Sequence, residues 1–277
     1  MQDIKNKKMP TGISSLDPIL EGGVPEGSLI LLLGNLGAGS HEFVYSSVVN
    51  LLAMKKETLP PEIHIPVEIR YITFTRLNEN VKREIISSFN IEGANTAELI
   101  EKIHFNDLSD HYFDSSIVPN EWYSQGNVIS RLQKRSAQDS ILVQLAKLIN
   151  ETKENSLVVF DSITDIATQC TTVPQWQNLT GLLRGLQRIS KQRGITSYFL
   201  LSQGILNSSR ESELADISDA LMLFKWEEST GSRRQRVMYF EKFRGVMPHL
   251  EERDLVKFAV RISTTNGFEV SNIRVVI

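Results

Sequence analysis

The amino-acid sequence predicts an α/β protein with a mostly parallel, twisted sheet flanked by helices and antiparallel strands near its C-terminus. Three observations predict this fold. Short, continuously apolar runs alternate with amphipathic helical segments, as they do in βαβ units. A glycine-rich loop follows the first of these runs and precedes a helical segment. Toward the C-terminus, two long strand-like segments and a hairpin turn follow one another without an intervening helix.

Apolar runs and stripes place the individual elements. Six runs predict buried strands: 29–33, 70–74, 102–105, 157–161, 196–203 and 220–224. Three stripes at helical spacing predict helices: Val81, Ile85, Ile86 and Phe89; Leu142, Leu145, Ala146 and Ile149; and Leu179, Leu182, Leu183, Leu186 and Ile189. The segments 233–243 and 255–262 predict antiparallel strands, and Thr-Thr-Asn-Gly at 264–267 predicts a hairpin turn.

Length and composition exclude several classes of protein. With 277 residues, 41% hydrophobic and 23% charged, the chain has enough apolar side chains for a packed core, which excludes wholesale disorder. The net charge of −3 provides no global positive field for nucleic acid. The single cysteine, Cys170, excludes an intramolecular disulfide and a cysteine-based zinc site. The basic, polar start and the short apolar run at Leu29–Leu33 lead us to expect a cytoplasmic protein without membrane association.

We expect one domain over residues 1–277 that carries two insertions. The first, at about 56–68, contains two adjacent prolines and is expected to arch over the surface. The second, at about 109–135, is rich in aromatic residues and has no clear period. It is either a functional lid, a partner-docking loop, or an ordered surface excursion that packs its own aromatic side chains.

The glycine-rich loop is the first candidate functional site. Gly34, Gly37 and Gly39 stand directly after a predicted strand and before a predicted helix, which is the context of a phosphate-binding P-loop. A glycine turn with no nucleotide role is the alternative interpretation. The candidate nucleotide-binding residues are Gly34, Gly37, Ala38, Gly39, Ser40 and His41.

Two residues of this loop depart from the P-loop pattern G-x-x-x-x-G-K-[ST]. Ser40 stands where the lysine that contacts the β- and γ-phosphates belongs. His41 stands where the hydroxyl that binds Mg²⁺ belongs, and a nitrogen ligand does not suit this hard cation. Glu42 adds a negative charge beside the expected phosphates.

The segment 9–40, MPTGISSLDPILEGGVPEGSLILLLGNLGAGS, resembles the entry segment of the RecA superfamily of P-loop ATPases, in its KaiC/RadA-like branch. The residues that carry the resemblance are Thr11, Gly12, Ile13, Leu16, Asp17, Ile19, Leu20, Gly22, Gly23, Val24, Pro25, Gly27 and Ser28. The resemblance covers about residues 9–50, 70–105 and 155–270. It implies a RecA-like P-loop NTPase core, binding of ATP, and assembly into rings, usually hexamers, with itself or with paralogous subunits.

Four further residues receive roles from this resemblance. Asp161 ends a strand that resembles the Walker B strand, and its alternative role is to cap a helix or loop. Lys242 and Arg244 match a Lys-x-Arg-Gly signature and would reach the γ-phosphate of a neighbouring subunit as trans fingers; alternatively they are edge-strand charges. Gln203 stands where related proteins place a γ-phosphate sensor, or it caps its strand.

The chain departs from the family where a water-polarising acid is expected. Related proteins carry acidic residues just after the second strand, whereas this chain has Thr75 and Arg76 there. Arginine cannot act as a base at neutral pH. A shifted alignment would offer Glu79 instead, inside a helix. The lysine, the metal-binding hydroxyl and the base are therefore all replaced.

We therefore expect a KaiC/RecA-like pseudo-ATPase with a degenerate Walker A motif, acting as a regulatory or scaffold subunit. It would have no catalytic residue, bind ATP weakly or not at all, and hold Mg²⁺ poorly. The alternative is an active ATP-binding RecA/RadA-like ATPase or a DNA-repair paralogue. The pathway, whether clock, signalling, motility or repair, does not follow from the fold.

Basic clusters keep the DNA alternative open. They are Arg184, Arg188, Lys191 and Arg193; Arg233, Arg234 and Arg236; and Arg131, Lys134 and Arg135. Such clusters either contact phosphates or form a solvated polar face. The histidines, at positions 41, 64, 104, 111 and 249, show no zinc-ligand spacing, so we expect no metal site.

Overall fold

The computed structural model describes residues 7–56, 59–89, 95–114, 116–123, 140–229 and 233–272. The strands are β1 Lys8–Met9, β2 Val24–Pro25, β3 Leu29–Gly34, β4 Ile69–Thr73, β5 His104–Asp107, β6 Leu157–Asp161, β7 Thr196–Ser202, β8 Ala220–Ser229, β9 Arg233–Phe243, β10 Lys257–Ser263 and β11 Gly267–Asn272. The helices are α1 Ser40–Ala53, α2 Asn78–Ser88, α3 Thr96–Ile100, α4 Ser109–Phe113, α5 Ile141–Glu151, α6 Ile163–Gln169, α7 Val173–Arg193, α8 Ser208–Ile217 and α9 Met247–Glu252, with a 3-10 turn at Asn120–Trp122.

Within the described residues, nine strands form one sheet in the order β5-β4-β6-β7-β3-β8-β9-β10-β11. The first six strands in this order run parallel to one another. The last three add antiparallel pairings, from β8 to β9, β9 to β10 and β10 to β11. The predicted α/β fold with antiparallel C-terminal strands is therefore confirmed.

Helices cover both faces of the parallel part of the sheet. Along β3, Leu29, Leu31 and Leu33 point into one hydrophobic core, and Ile30 and Leu32 point into the other. The core with Ile30 and Leu32 includes side chains of α1, α2 and the C-terminal strands, and the opposite core includes those of α5, α6, α7 and α8. Burial on both faces explains why these strands are apolar without alternation.

Two details of the predicted burial are wrong. The run 102–105 was predicted as a buried strand, but β5 lies at the edge of the sheet and its side chains are half-buried or exposed. An edge strand has a neighbour on one side only, so solvent reaches it. On α2, Val81 and Ile85 are buried as predicted, whereas Ile86 is 41% exposed.

The described part of the aromatic-rich insertion is compact. Helix α4 and the 3-10 turn bring Tyr112, Phe113 and Tyr123 together, with ring centroids 4.9 and 5.2 Å apart in successive pairs. The side-chain amide of Gln169 on α6 donates to the Tyr112 carbonyl at 3.1 Å. These contacts fit the interpretation of an ordered surface excursion. Residues 124–135 of the predicted insertion lie outside the described residues.

The described part of the first insertion runs beside the N-terminal strands. Ile63 forms a parallel bridge with Lys8, and the Val67 N–H donates to the Asn155 carbonyl at 2.9 Å.

Among the helices that the structure describes, none combines the length and apolar character needed to cross a bilayer.

Candidate functional site

The glycine-rich loop joins the carboxyl end of β3 to the start of α1. Gly37 and Gly39 have φ of +69° and +113°, in the left-handed region that favours glycine. A Cβ on Gly39 would also lie 3.2 Å from the Phe268 ring. Gly39 is the N-cap of α1, and no side chain caps this helix start. The first N–H groups of α1 therefore have the orientation and dipole that favour an anion.

Two residues of the β8–β9 hairpin hold the loop from one side. The indole Nε1–H of Trp226 donates to the Leu36 carbonyl at 3.1 Å, and Nε of Arg236 donates to the Gly37 carbonyl at 3.0 Å. The Arg236 guanidinium also stacks over Trp226, 4.5 Å from the ring centroid. From sequence, Arg236 was grouped with a possible DNA-binding cluster, and no role was predicted for Trp226. The structure places both against the glycine loop.

Gln203 holds the loop from the other side. It follows β7, the neighbour of β3, and its backbone N–H donates to the Gly34 carbonyl at 2.9 Å. Its side-chain oxygen accepts from the Asn35 amide at 3.0 Å. Gln203 therefore contacts Gly34 and Asn35, at the start of the glycine loop.

Asp161 lies at the carboxyl end of β6 with only 2% of its area exposed. Its Oδ2 accepts a hydrogen bond from the Tyr71 hydroxyl at 2.8 Å and one from Arg76 Nη1 at 2.7 Å. Its Oδ1 lies 3.4 Å from Nε2 of His41, the second residue of α1. Both carboxylate oxygens thus have side-chain partners from other elements.

Arg76 connects Asp161 to two further side chains. Its Nη1 donates to the Tyr45 hydroxyl at 3.1 Å, and Tyr45 donates to Glu84 Oε2 at 3.0 Å. Its Nη2 forms a close ion pair with Glu84 on α2. We call this group the Arg76 cluster; its members are His41, Tyr45, Tyr71, Arg76, Glu84 and Asp161.

Neighbouring charges in the Arg76 cluster shift the pKa values of His41 and Asp161 toward their charged forms. Burial alone would raise the pKa of Asp161, but the hydrogen bond and charge of His41 and the charge of Arg76 hold it below 3.8. Burial alone would lower the pKa of His41, but the hydrogen bond and charge of Asp161 raise it above 6.5. Burial raises the pKa of the Tyr71 hydroxyl, which keeps it protonated as a donor.

Sequence reasoning identified Arg76 but missed Tyr45, Tyr71 and Glu84. The reversed charge at Arg76 was visible because it replaced an expected acid. Its partners come from α1, β4 and α2, and nothing in the local sequence of those elements points toward Arg76. Within the described ranges, no three His, Cys, Asp or Glu side chains are grouped so that they could hold a metal ion.

Lys242 and Arg244 lie at the opposite end of the sheet from the chain's own glycine loop. Lys242 pairs with Leu221 at the amino end of β8, whereas the loop follows the carboxyl end of the parallel strand β3. Lys242 Nζ donates to the carbonyls of Ala215 and Asp216, at 2.8 Å each. Arg244 Nη2 donates to the Asp216 carbonyl at 2.7 Å.

These carbonyls belong to the last turn of α8, where positive side chains favour the helix dipole. We call Lys242, Arg244 and the last turn of α8 the finger cluster.

The basic face of α7 is largely matched by acids or carbonyls. Arg184 lies 3.8 Å from Glu213, and Lys191 forms an ion pair with Asp219 at 3.0 Å. Arg193 Nη1 donates to the Ile149 carbonyl at 3.1 Å. The cluster that the sequence analysis named at 131–135 lies outside the described residues, as does the side chain of Arg233.

Comparison with known proteins identifies the family. A family model described as "ATPase: KaiC" matches residues 9–271. The chain belongs to the KaiC family of ATPases. This confirms the RecA-superfamily, KaiC-like interpretation of the segment 9–40.

One curated relative and one solved structure are similar to this KaiC-family chain. The UPF0273 protein MJ1359 of Methanocaldococcus jannaschii is 32% identical over 112 residues, which cover 38% of this chain and 46% of that relative. The crystal structure of the KaiC-like protein PH0186 from Pyrococcus horikoshii OT3 is 20% identical, with a TM-score of 0.60. That match covers 96% of this chain and 99% of the other, and it shows a shared fold.

Proposed function

We propose that this KaiC-family chain is a pseudo-ATPase: a cytoplasmic regulatory or scaffold subunit with a degenerate Walker A motif that binds ATP weakly or not at all. The observation that carries the proposal is the set of partners around Asp161. In an active ATPase, this carboxylate would help to bind a metal ion. Here Arg76, Tyr71 and His41 take its hydrogen bonds.

These residues do not fit Mg²⁺. This ion requires near-octahedral oxygen ligands at about 2.0–2.1 Å and does not favour nitrogen. The position of the metal-binding hydroxyl is occupied by His41, and the Asp161 carboxylate is paired with the Arg76 guanidinium at 2.7 Å. A metal ion on Asp161 would have to displace the Arg76 guanidinium, and both Arg76 and its other partner, Glu84, would then have to move.

The other two parts of the hydrolytic apparatus are also replaced. Ser40, in the first turn of α1, carries no charge for the β- and γ-phosphates. Arg76 stays protonated, since the charge of Asp161 raises its pKa despite burial, so it cannot accept a proton from water. Glu79, the acid that a shifted alignment would offer, is exposed and pairs with Lys82 at 3.3 Å on the surface of α2.

The expected partners are further copies of this chain or paralogous KaiC-like subunits in a ring. The finger cluster supports this proposal through its position, because Lys242 and Arg244 lie at the far end of the sheet from their own glycine loop. Any contact they make with a nucleotide is therefore with one held by a neighbour. The acid-paired cations of α7 do not favour the alternative of a DNA-repair paralogue.

The deciding experiment is a turnover assay on the purified protein with ATP and excess Mg²⁺. We expect phosphate release no faster than that of the Asp161→Asn variant. Metal-dependent release that the Asp161→Asn change abolishes would show an active ATPase and overturn the proposal. Native mass spectrometry of the same samples measures the ring size, and a monomer at all concentrations would remove the ring from the proposal.

A further inference from the structure

We propose that Arg76 is the resident cation of this nucleotide site: its guanidinium replaces the divalent metal, so any polyphosphate held by the glycine loop binds without one. This inference rests on the proposed function, since it concerns the same loop. It adds a specific residue and a specific ligand form, the metal-free nucleotide.

Two carboxylates lie close to the glycine loop and need a cation to balance their charge. Asp161 and Glu84 carry two negative charges, and Asp161 lies 3.4 Å from His41, which stands in the first turn of α1. Uncompensated, these carboxylates would repel the phosphates that the helix start attracts. Arg76 contacts both carboxylates and compensates one of the two charges permanently, because arginine does not deprotonate.

Contacts on several sides fix the Arg76 side chain in place. Its side chain is only 27% exposed and is bonded to three elements: β6 through Asp161, α1 through Tyr45 and α2 through Glu84. A surface arginine would lose side-chain entropy on binding a phosphate, whereas this guanidinium is already ordered. Its two terminal nitrogens each contact one of the two carboxylates, Nη1 that of Asp161 and Nη2 that of Glu84.

Without this arginine, the Arg76 cluster would need another cation. Asp161 is almost fully buried, and a buried carboxylate without a cation is strongly unfavourable. A variant that lacks Arg76 should therefore recruit another cation to this place. Divalent metal binding should appear on removal of Arg76, although the normal protein does not require it.

The test uses the full chain and two probes, Mn²⁺ followed by electron paramagnetic resonance and ATP followed by calorimetry. The normal protein should bind no stoichiometric Mn²⁺, and its ATP affinity should change less than about twofold between EDTA and excess Mg²⁺. Arg76→Ala should bind Mn²⁺, and its ATP affinity in EDTA should fall at least about tenfold, with recovery on addition of Mg²⁺.

Matched variants keep the result interpretable. Arg83→Ala removes the same charge from an exposed position of α2 and should behave like the normal protein. Arg76→Lys keeps the charge and should retain metal-free behaviour, which tests the proposal if Arg76→Ala does not fold.

Stoichiometric Mn²⁺ binding by the normal protein, or tight ATP binding only with Mg²⁺, would overturn the inference while leaving the lack of turnover intact. Arg76→Ala with neither a gain of Mn²⁺ nor a loss of ATP affinity would overturn it as well. If ATP binds to no variant, the Mn²⁺ measurement decides alone. Rapid turnover in the assay described above would instead overturn the proposed function.

Discussion

The two ends of the sheet hold their arginines in different ways. In the Arg76 cluster, at the carboxyl end, the guanidinium lies between two carboxylates, one of them almost fully buried. In the finger cluster, at the amino end, Arg244 is 48% exposed, donates to the Asp216 carbonyl at 2.7 Å, and approaches the Asp219 and Asp216 carboxylates only to 3.9 and 4.0 Å. A buried ion pair cannot lose one member without a large penalty, whereas an exposed side chain on a carbonyl can exchange partners with water or with another subunit. The first arrangement suits a fixed structural charge, and the second suits a contact made in an assembly.

The largest expected effect is the loss of stability in Arg76→Ala. Removal of the guanidinium leaves Asp161 buried without its cation, which should lower the free energy of unfolding by about 3 kcal/mol. Urea denaturation followed by circular dichroism measures this change. A loss below about 1 kcal/mol would show that the ion pair is not structural.

The double variant Arg76→Ala/Asp161→Asn serves as the control for that measurement. Because it removes both charges, it should be destabilised by less than the sum of the two single changes. Additive losses would mean that Arg76 and Asp161 do not interact in solution, contrary to their 2.7 Å contact.

Tyr71→Phe should have the next largest effect. The change removes a fully buried hydroxyl that donates to Asp161 at 2.8 Å, and hydrogen bonds to charged groups contribute about 2 kcal/mol. Tyr239→Phe is a suitable control, because Tyr239 is a half-buried tyrosine of the same sheet outside the Arg76 cluster. Equal losses in the two variants would assign the effect to general packing.

Arg244→Ala should change stability little, by about 0.5 kcal/mol, since this half-exposed side chain makes one hydrogen bond to the Asp216 carbonyl and only long ion pairs, 3.9 and 4.0 Å, with Asp219 and Asp216. Its expected effect is on a neighbour: mixed with a catalytically intact KaiC-family paralogue, it should lower the partner's turnover at least about tenfold relative to the normal chain. Arg253→Ala, an exposed arginine beyond α9, provides the charge-matched control. Unchanged turnover would leave Arg244 as a helix-capping residue only.

The smallest expected effect is the pH dependence from His41. Because its folded pKa is raised above 6.5, the folded state binds the proton more tightly than the unfolded state. Its stabilising contribution is therefore fully present below pH 6.5 and is lost as the pH rises through the folded pKa. His41→Gln should be less stable than the normal protein at pH 5.5 and similar to it at pH 8.5. A difference that grows with pH would contradict the assigned partner, Asp161.

The sequence predicted the sheet better than it predicted the site. Continuous apolar runs located the five inner parallel strands because burial on both faces removes polar residues from them. Edge position is set by strand order, which the local sequence does not encode, so the exposure of β5 was missed. Glycine spacing located the loop because left-handed backbone conformations at Gly37 and Gly39 demand that residue type.

The Arg76 cluster shows why the site was only half predicted. The replaced acid at Arg76 could be read from the pattern that surrounds it. The partners could not, because Tyr45 and Asp161 are 31 and 85 residues away along the chain and meet Arg76 only through the order of β6 and β4 and the packing of α1. The pairing of Lys242 with the carbonyls of α8 was hidden for the same reason.

The contact between Trp226 and the Leu36 carbonyl places an intrinsic fluorophore directly on the glycine loop. Of the three tryptophans in the sequence, Trp122 lies in the aromatic-rich insertion and Trp176 on α7, where it donates to Glu213. Trp226 alone among them donates to the glycine loop, and its ring is also stacked against the Arg236 guanidinium, so movement of the loop changes the surroundings of this indole. With the other two replaced by phenylalanine, the fluorescence of Trp226 would register each rearrangement of the loop as it happens, without any attached dye.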